Sequence, residues 1–462
     1  MDQEQLEADT QKGSSWMHSI KVTLGSLDHR EVKSFISSIP IVPDKLRKFN
    51  EQAYTPKLIT IGPLHRETRT HHLAMEEHKW RYMLALLHRT QNPVSSLDKC
   101  GTVILGLDDA VRASYGGKIN LHPHEHAKIM LVDGCFLLEL LLRCSPADLV
   151  PQIPQIDENE NNPYGSDSIF KQHEMLPSVL TDLILLENQI PFFILKALAR
   201  ILFPNVFTIE ADHLVAHLAL SLFGHPLIPC SSVAHFLHLM HFSFVSGESQ
   251  VITQARQQLK HCATRLTAHG VTIRPAVNNN VFNRFDFGIR FSDGVLEIPP
   301  LYIDEATEVY WRNFIAWEQR RIGICPQFTS YALFFRGLIC SIQDIELLVG
   351  NGVIVKDVKI SNKDLLALFK TITRGVELMD SSYNELCEKV NTYSAVNCLQ
   401  RLSVLVWHCC GLCAEYMEHY CRRSYKILID DHIPNVWKLI GVLAAMLLLA
   451  LTIMQTYYSA NN

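Results

Sequence analysis

Sixteen consecutive residues bounded by Leu439 and Met454 carry no charge, and this run constrains the fold more than any other feature of the sequence. Trp437 and Lys438 open it, and Tyr457 and Tyr458 close it. That is the arrangement of a membrane-spanning helix with aromatic anchors at both interfaces. At about 1.5 Å per residue, residues 436–458 reach roughly 33–35 Å, enough to cross a hydrocarbon core while Lys438 snorkels to the headgroups. A buried core helix would show a polar stripe, whereas Leu447, Leu448, Leu449 and Leu451 point all ways round. The expectation is a single-pass, tail-anchored membrane protein with a transmembrane helix at 436–458 and a short tail at 459–462.

Arg422, Arg423, Lys426 and Lys438 precede this helix and no Lys or Arg follows it. The positive-inside rule therefore places the large N-terminal body in the cytosol, at the plasma membrane or an endomembrane. The first 25 residues are polar and acidic and lack a charged-then-apolar signal pattern. Thirteen cysteines without a repeated spacing fit reduced thiols better than a disulfide framework. A formal charge of −5 argues against the basic face that a nucleic-acid partner requires.

Roughly 400 residues precede the apolar run, ample for a large core. Residues 1–30 show little periodicity and read as a flexible lead; residues 31–430 read as one globular, mostly helical domain. Pro40, Pro43, Pro56 and Gly62 break residues 39–63 into extended pieces and turns. Met75, Trp80, Met83, Leu84 and Leu87 recur at helical spacing. Residues 129–142 are strongly apolar, but Asp133, Gly134 and Glu139 make them a buried helix and not a second span. Residues 150–167 read as a loop or linker, and residues 179–203 as two core helices meeting near Pro191. Asp293–Gly294 centres a small β-hairpin over 282–298, with Phe285, Phe287, Ile289 and Phe291 on one side. Helical periodicity resumes after Ala306 and runs to about 428, broken near Gly350 and Gly352. The fold class is mainly α, with a small β-hairpin and one C-terminal transmembrane helix.

The chemistry-bearing motifs are few. A phosphate-binding loop, a nucleophile elbow, a zincin helix and the kinase signature set are absent from the sequence. His122, His124, Glu125 and His126 offer metal-donor types, yet Pro123 places them on a solvated loop. His235, His238 and His241 would line one stripe of a helix, either as a pH sensor or metal site or as a boundary face between core and solvent. His408, Cys409, Cys410 and Cys413 lack a second ligand pair, and Cys421 stands where a juxtamembrane cysteine can be palmitoylated. Asp182 and Glu187 among Leu and Ile are open to two readings. They are carboxylates prepared for general acid catalysis, or they form an internal pair satisfied by Lys196 or a helix N-terminus. No metal or cofactor is expected.

Several separated blocks together resemble one family. They are I-V-P at 41–43, Tyr54, Pro56 and I-G-P at 61–63, M-E-E-H-K at 75–79, D-G-C-F-L-L-E-L at 133–140 and D-L-I-L-L-E-N-Q-I-P-F-F at 182–193. I-P-P-L-Y-I-D at 298–304, R-N-F-I-A-W-E-Q at 312–319 and L-T-I-M-Q-T-Y-Y-S at 451–459 follow. In order and spacing they resemble the plant proteins grouped as domain of unknown function 247, with Leu64 where an aromatic is usual after I-G-P. The resemblance implies structural core roles for Asp133, Gly134, Asp182, Glu187, Asn188, Gln189, Pro191, Asn313 and Glu318. It implies no catalytic activity. Members at the grass self-incompatibility loci look like pollen-side determinants, so a protein partner, even a small secreted stigma protein, is implied alongside the bilayer. The expected function is that of a membrane-anchored, non-enzymatic interaction or signalling protein; an enzyme of unfamiliar type using buried carboxylates or histidines is the alternative.

Overall fold

The computed structural model describes residues 38–66, 73–146, 148–154, 168–172, 174–208, 213–229, 233–245, 258–276, 284–320, 325–377, 382–394, 414, 416–423 and 436–460. The chain divides into two compact units, 1–391 and 392–462. The lead at 1–30 and the His408 to Cys413 cluster lie outside the described residues.

The first unit is mainly helical. After a one-turn helix α1 (Asp44–Arg47) and a 3-10 turn (Glu51–Tyr54), helices α2 (Leu73–His88), α3 (Pro93–Gly106) and α4 (Asp108–Ser114) lead to α5 (Pro123–Cys144). Helix α5 is the hub: Phe136, Leu137, Leu138, Leu140 and Leu141 have no exposed surface. Burying each such side chain contributes about 1.5–3 kcal/mol. It packs against α2, α3, α8 (Phe192–Leu202) and α9 (Leu214–Leu222). Its start corrects the expectation of a loop at 122–126: Pro123 occupies the first turn, where a missing N–H costs nothing, and His122 is the N-cap.

The apolar stretch 179–203 is two helices, as its sequence predicts. Helix α7 (Met175–Leu183) ends in a turn over residues 184–191, and Pro191 is the N-cap of α8. A short helix, α6 (Ser168–Lys171), precedes them, and α10 (Phe236–Phe244) and α11 (Ala263–Ala268) follow.

The predicted hairpin is present as β2 (Arg290–Ser292) and β3 (Val295–Ile298), antiparallel, with Phe291 opposite Leu296. Asp293 (φ 51°) and Gly294 (φ 78°) both adopt positive φ, as a two-residue hairpin turn requires. The strand is shorter than the alternation suggests. Phe285, Phe287 and Ile289 lie outside it, because Phe285 and Phe287 stack edge-on to Phe328, at 5.2 and 5.0 Å, in an aromatic core. Sequence reading also missed that β3 pairs in parallel with β1 (Thr272–Pro275), and that β4 (Leu301–Ile303) pairs in parallel with β5 (Ile354–Lys356). These strands are only three or four residues long, too short for a period to declare itself.

Helices α12 (Thr307–Arg320), α13 (Gln327–Leu338), α14 (Ile342–Gly350) and α15 (Asn362–Thr371) complete the unit's named elements. Phe314 of α12 stacks on Phe328 of α13 at 4.2 Å. Ser341 with Asp344, and Ser361 with Asp364, form capping boxes that start α14 and α15.

In the second unit, helix α16 (Val436–Ala460) contains the predicted membrane-length segment. Its stretch Leu439–Tyr457 is long and apolar enough to cross a membrane, and none of it is buried. Leu447, Leu448, Leu449, Leu451 and Met454 are exposed, as are Trp437 near its start and Tyr457 near its end.

Candidate functional site

Residues 55–63 form no regular helix or strand, so their main-chain groups need partners from elsewhere. The 182–191 block supplies them. Asp182 receives three successive amides, from Lys57 at 2.9 Å, Leu58 at 2.7 Å and Ile59 at 2.8 Å. Asn188 accepts from the Ile61 amide at 2.7 Å and donates to the carbonyls of Ile59 and Asp182. Gln189 donates to the carbonyls of Leu183 and Leu185, closing its own turn, and accepts from the Leu237 amide at the start of α10. Tyr115 donates its hydroxyl to the Gln189 carbonyl at 2.9 Å.

Asp133 and Glu187 extend the same scheme. Asp133, on α5, receives the Gly62 amide at 2.9 Å, Arg66 at 3.0 Å and the fully buried Lys79 at 2.8 Å. Lys79 also donates to the Thr60 carbonyl and to Glu76. Glu187 accepts from the Val42 amide at 2.7 Å and takes both its oxygens to Arg47 at 2.5 and 2.6 Å. Asp182 and Glu187, adjacent in the sequence argument, therefore serve different segments.

Two residues of α12 finish the network. Asn313 accepts from the Leu186 amide and donates to the carbonyls of Ala53 and Val309. Glu318 receives the amides of Phe328 and Thr329 and the Thr329 hydroxyl, which places a carboxylate at the N-terminal turn of α13, where the helix dipole favours it. His241 meets Glu318 at 2.9 Å. Carboxylates engaged by main-chain amides in this way fix the geometry of the segments they join.

The histidine stripe straddles the boundary its spacing suggests: His238 is half-buried, and His235 and His241 are buried. His235 is the N-cap of α10, fully buried, and meets the Ser38 carbonyl at 2.7 Å; its ring stands edge-on to Trp317 at 4.8 Å. His241 is also buried, on a helix α10 that packs against α9 and α12. At 122–126 the three imidazoles separate. His126 is buried against Asp108 at 2.5 Å, while His122 and His124 stack on each other, exposed, at 5.3 Å. Cys421 is exposed.

Sequence reading missed a cleft of about 500 Å³. Its lining combines apolar Leu180, Phe223, Met240 and Phe244 with Arg284, Asp304, Tyr310, Lys356, Asp357 and His225. Arg284 is ion-paired with Asp304 and lies over the Tyr310 ring at 4.9 Å. Burial lowers His225 to about 4, so its imidazole is neutral at physiological pH, within 3.2 Å of the Ser243 hydroxyl. Burial likewise pushes the Tyr310 hydroxyl up to about 12. For Asp304, burial acts upward, but Arg284 and the Thr307 and Ala306 donors outweigh it and hold the carboxyl below its usual range. Neither Asp182 nor Glu187 lines this cleft or the smaller one, of about 290 Å³, bounded by Arg66, Trp80 and Lys128. Its lining comes from widely separated segments, which no local sequence pattern joins.

Among the described residues, one group of metal-donor types converges, Cys262, Cys340 and Asp344, with ligand atoms all within 4.8 Å of one another.

Comparison with known proteins adds the following. A family model described as a plant protein of unknown function matches residues 39–451. A UPF0481 protein of Arabidopsis thaliana is 25% identical over 445 residues, covering 90% of this chain and 84% of the relative. A putative UPF0481 protein of the same plant is 21% identical over 548 residues, covering 96% of this chain and 94% of the relative. No solved structure matches.

Proposed function

The chain belongs to the plant proteins of unknown function grouped as domain of unknown function 247, and from that premise we propose that it is a membrane-anchored, non-enzymatic interaction protein. One observation carries the reading. The carboxylates and amides of the family motifs hold main chain in place, which suits a rigid recognition body, and α16 supplies an apolar segment of membrane length. Arg422, Arg423 and Lys438, all preceding the apolar segment, favour a cytosolic body. The family resemblance favours a role in pollen recognition. With a cytosolic body, contact with a secreted stigma protein is then indirect, through a cytosolic partner.

Protease protection of the N-terminally tagged protein in sealed plant membranes tests the arrangement. Digestion from the cytosolic side supports the adaptor reading. Protection there, with digestion from outside the cell, overturns the orientation and makes direct surface recognition the first choice.

A second reading, an enzyme of unfamiliar type, has one observation in its favour. The 500 Å³ cleft sets a neutral imidazole, His225, beside an ion-paired carboxylate and a tyrosine on an apolar floor. A small-molecule screen by thermal shift, repeated on Arg284→Ala and His225→Gln, separates the readings: a ligand whose stabilisation is lost in both variants, and which is turned over, favours the enzyme.

A further inference from the structure

Cys262 is the N-cap of α11, and Cys340 immediately precedes Ser341, the N-cap of α14. The starts of the two helices are joined by a single carboxylate. Asp344 receives the Thr264 amide at 2.9 Å and hydroxyl at 2.8 Å on one oxygen, and the Cys340 and Ser341 amides at 3.0 and 2.9 Å with the Ser341 hydroxyl at 2.9 Å on the other. The two sulfurs lie within 4.8 Å of each other and of that carboxylate. Both cysteines are thiols; Cys340 is exposed and Cys262 half-buried.

We propose that Cys262 and Cys340 are a disulfide-forming pair, which clamps the N-termini of α11 and α14 together when the body meets a small-molecule disulfide such as oxidised glutathione. A metal is the competing occupant of the same three side chains, and the hydrogen bonds decide against it. Five donors already fill the two oxygens of Asp344, so an ion would have to displace them and leave amides at both helix starts unpaired. A disulfide leaves all five in place. The sulfurs need only close from within 4.8 Å to about 2.05 Å, and the exposed Cys340 side chain has room to turn.

The chemistry balances in two exchanges. The Cys340 thiolate attacks one sulfur of the glutathione disulfide and releases one glutathione, and the Cys262 sulfur, losing its proton, then attacks Cys340 Sγ and releases the second. The two protein thiols together lose two electrons and two protons, and the small disulfide becomes two thiols. Burial, with Cys262 and Asp344 nearby, raises the Cys340 thiol above its usual range. Closure is therefore slow near neutrality and becomes faster as the pH rises.

The test uses the full chain in detergent, equilibrated against a series of reduced-to-oxidised glutathione ratios, alkylated and mapped by peptide mass spectrometry. The expected result is a Cys262–Cys340 linked peptide that appears with oxidation, is reversed by reductant, and raises Tm by about 2–6 °C in the wild type only. Cys340→Ser, at an exposed position, is expected to melt with the reduced wild type and to show no rise on oxidation. Alkylation of both cysteines across the whole series overturns the proposal, as does a lasting glutathione adduct on Cys340 with Cys262 still free. Stoichiometric zinc on the reduced protein that is lost in Cys340→Ser overturns it in favour of the metal.

Discussion

At the scale of single residues, Asp182 holds three consecutive main-chain amides. Removing it as Asp182→Ala leaves the amides of Lys57, Leu58 and Ile59 without their acceptor, the Ile59 amide in a buried site and the other two in part-buried ones. At about 1–3 kcal/mol for each unsatisfied buried group, partly relieved by water, the expected loss is about 3–5 kcal/mol. Denaturant unfolding of the detergent-solubilised protein measures it, and a loss under 1 kcal/mol would refute the anchoring role. Two glycines show how differently one residue type is required. Gly62 has φ +75°, and a Cβ there would sit 2.6 Å from the Gln189 carbonyl oxygen, which is fixed main chain. A Cβ on Gly134 would meet Leu198 Cδ1 at 2.6 Å, the end of a side chain that can turn aside. Gly62→Ala should therefore fail to give folded protein, while Gly134→Ala costs about 1–3 kcal/mol and keeps the fold; circular dichroism melts of the two distinguish them. The residues of the 182–191 block were legible because they stand together in one stretch of sequence. Their partners were not: Asp182 reaches residues 57–59, and only the folded chain shows that its carboxylate takes the amides there.

At the scale of elements, two regions respond to acid in different pH windows. Burial pushes the Asp344 carboxyl up, but the donors from Thr264, Cys340 and Ser341 outweigh it and bring the carboxyl down to about 2. An unfolded aspartate titrates near 3.9, so the stability that Asp344 gives to the α11–α14 junction is complete above about pH 4 and lost between about 4 and 2. His225 acts earlier. Its imidazole is held to about 4 by burial, and the unfolded chain takes up that proton near 6.5, so the end of the cleft beside α10 weakens as pH falls from about 6.5 to about 4. Tm against pH should show both slopes, with His225→Gln reducing the upper one, to which the lowered His217 and His261 also contribute, and leaving the lower one. The long helices were visible in their 3.6-residue period, and the hairpin in its Asp293–Gly294 turn. The parallel pairings β1–β3 and β4–β5 left no local trace, since a parallel pairing joins strands across a long connection, here residues 276–294 and 304–353.

At the scale of the molecule, α16 carries a segment long and apolar enough to cross a membrane. Its apolar surface is exposed on every side, including Leu447 near the middle of the candidate span. An arginine at the centre of such a helix opposes insertion by about 2.5–3.5 kcal/mol, so Leu447→Arg together with Leu451→Arg should move the protein from the membrane pellet to the soluble fraction after carbonate extraction. Retention in the pellet would show that something other than α16 holds it there. The order of synthesis gives the 182–191 turn a further meaning. Residues 57–61 leave the ribosome more than a hundred residues ahead of Asp182 and Asn188, the side chains that bond their amides. At about 5–20 residues per second, that early stretch waits for several seconds with its main chain open to other partners. A nascent chain halted before Asp182 lacks the acceptors for the amides of residues 57–61, so these two segments can dock only once the middle of the chain has been made.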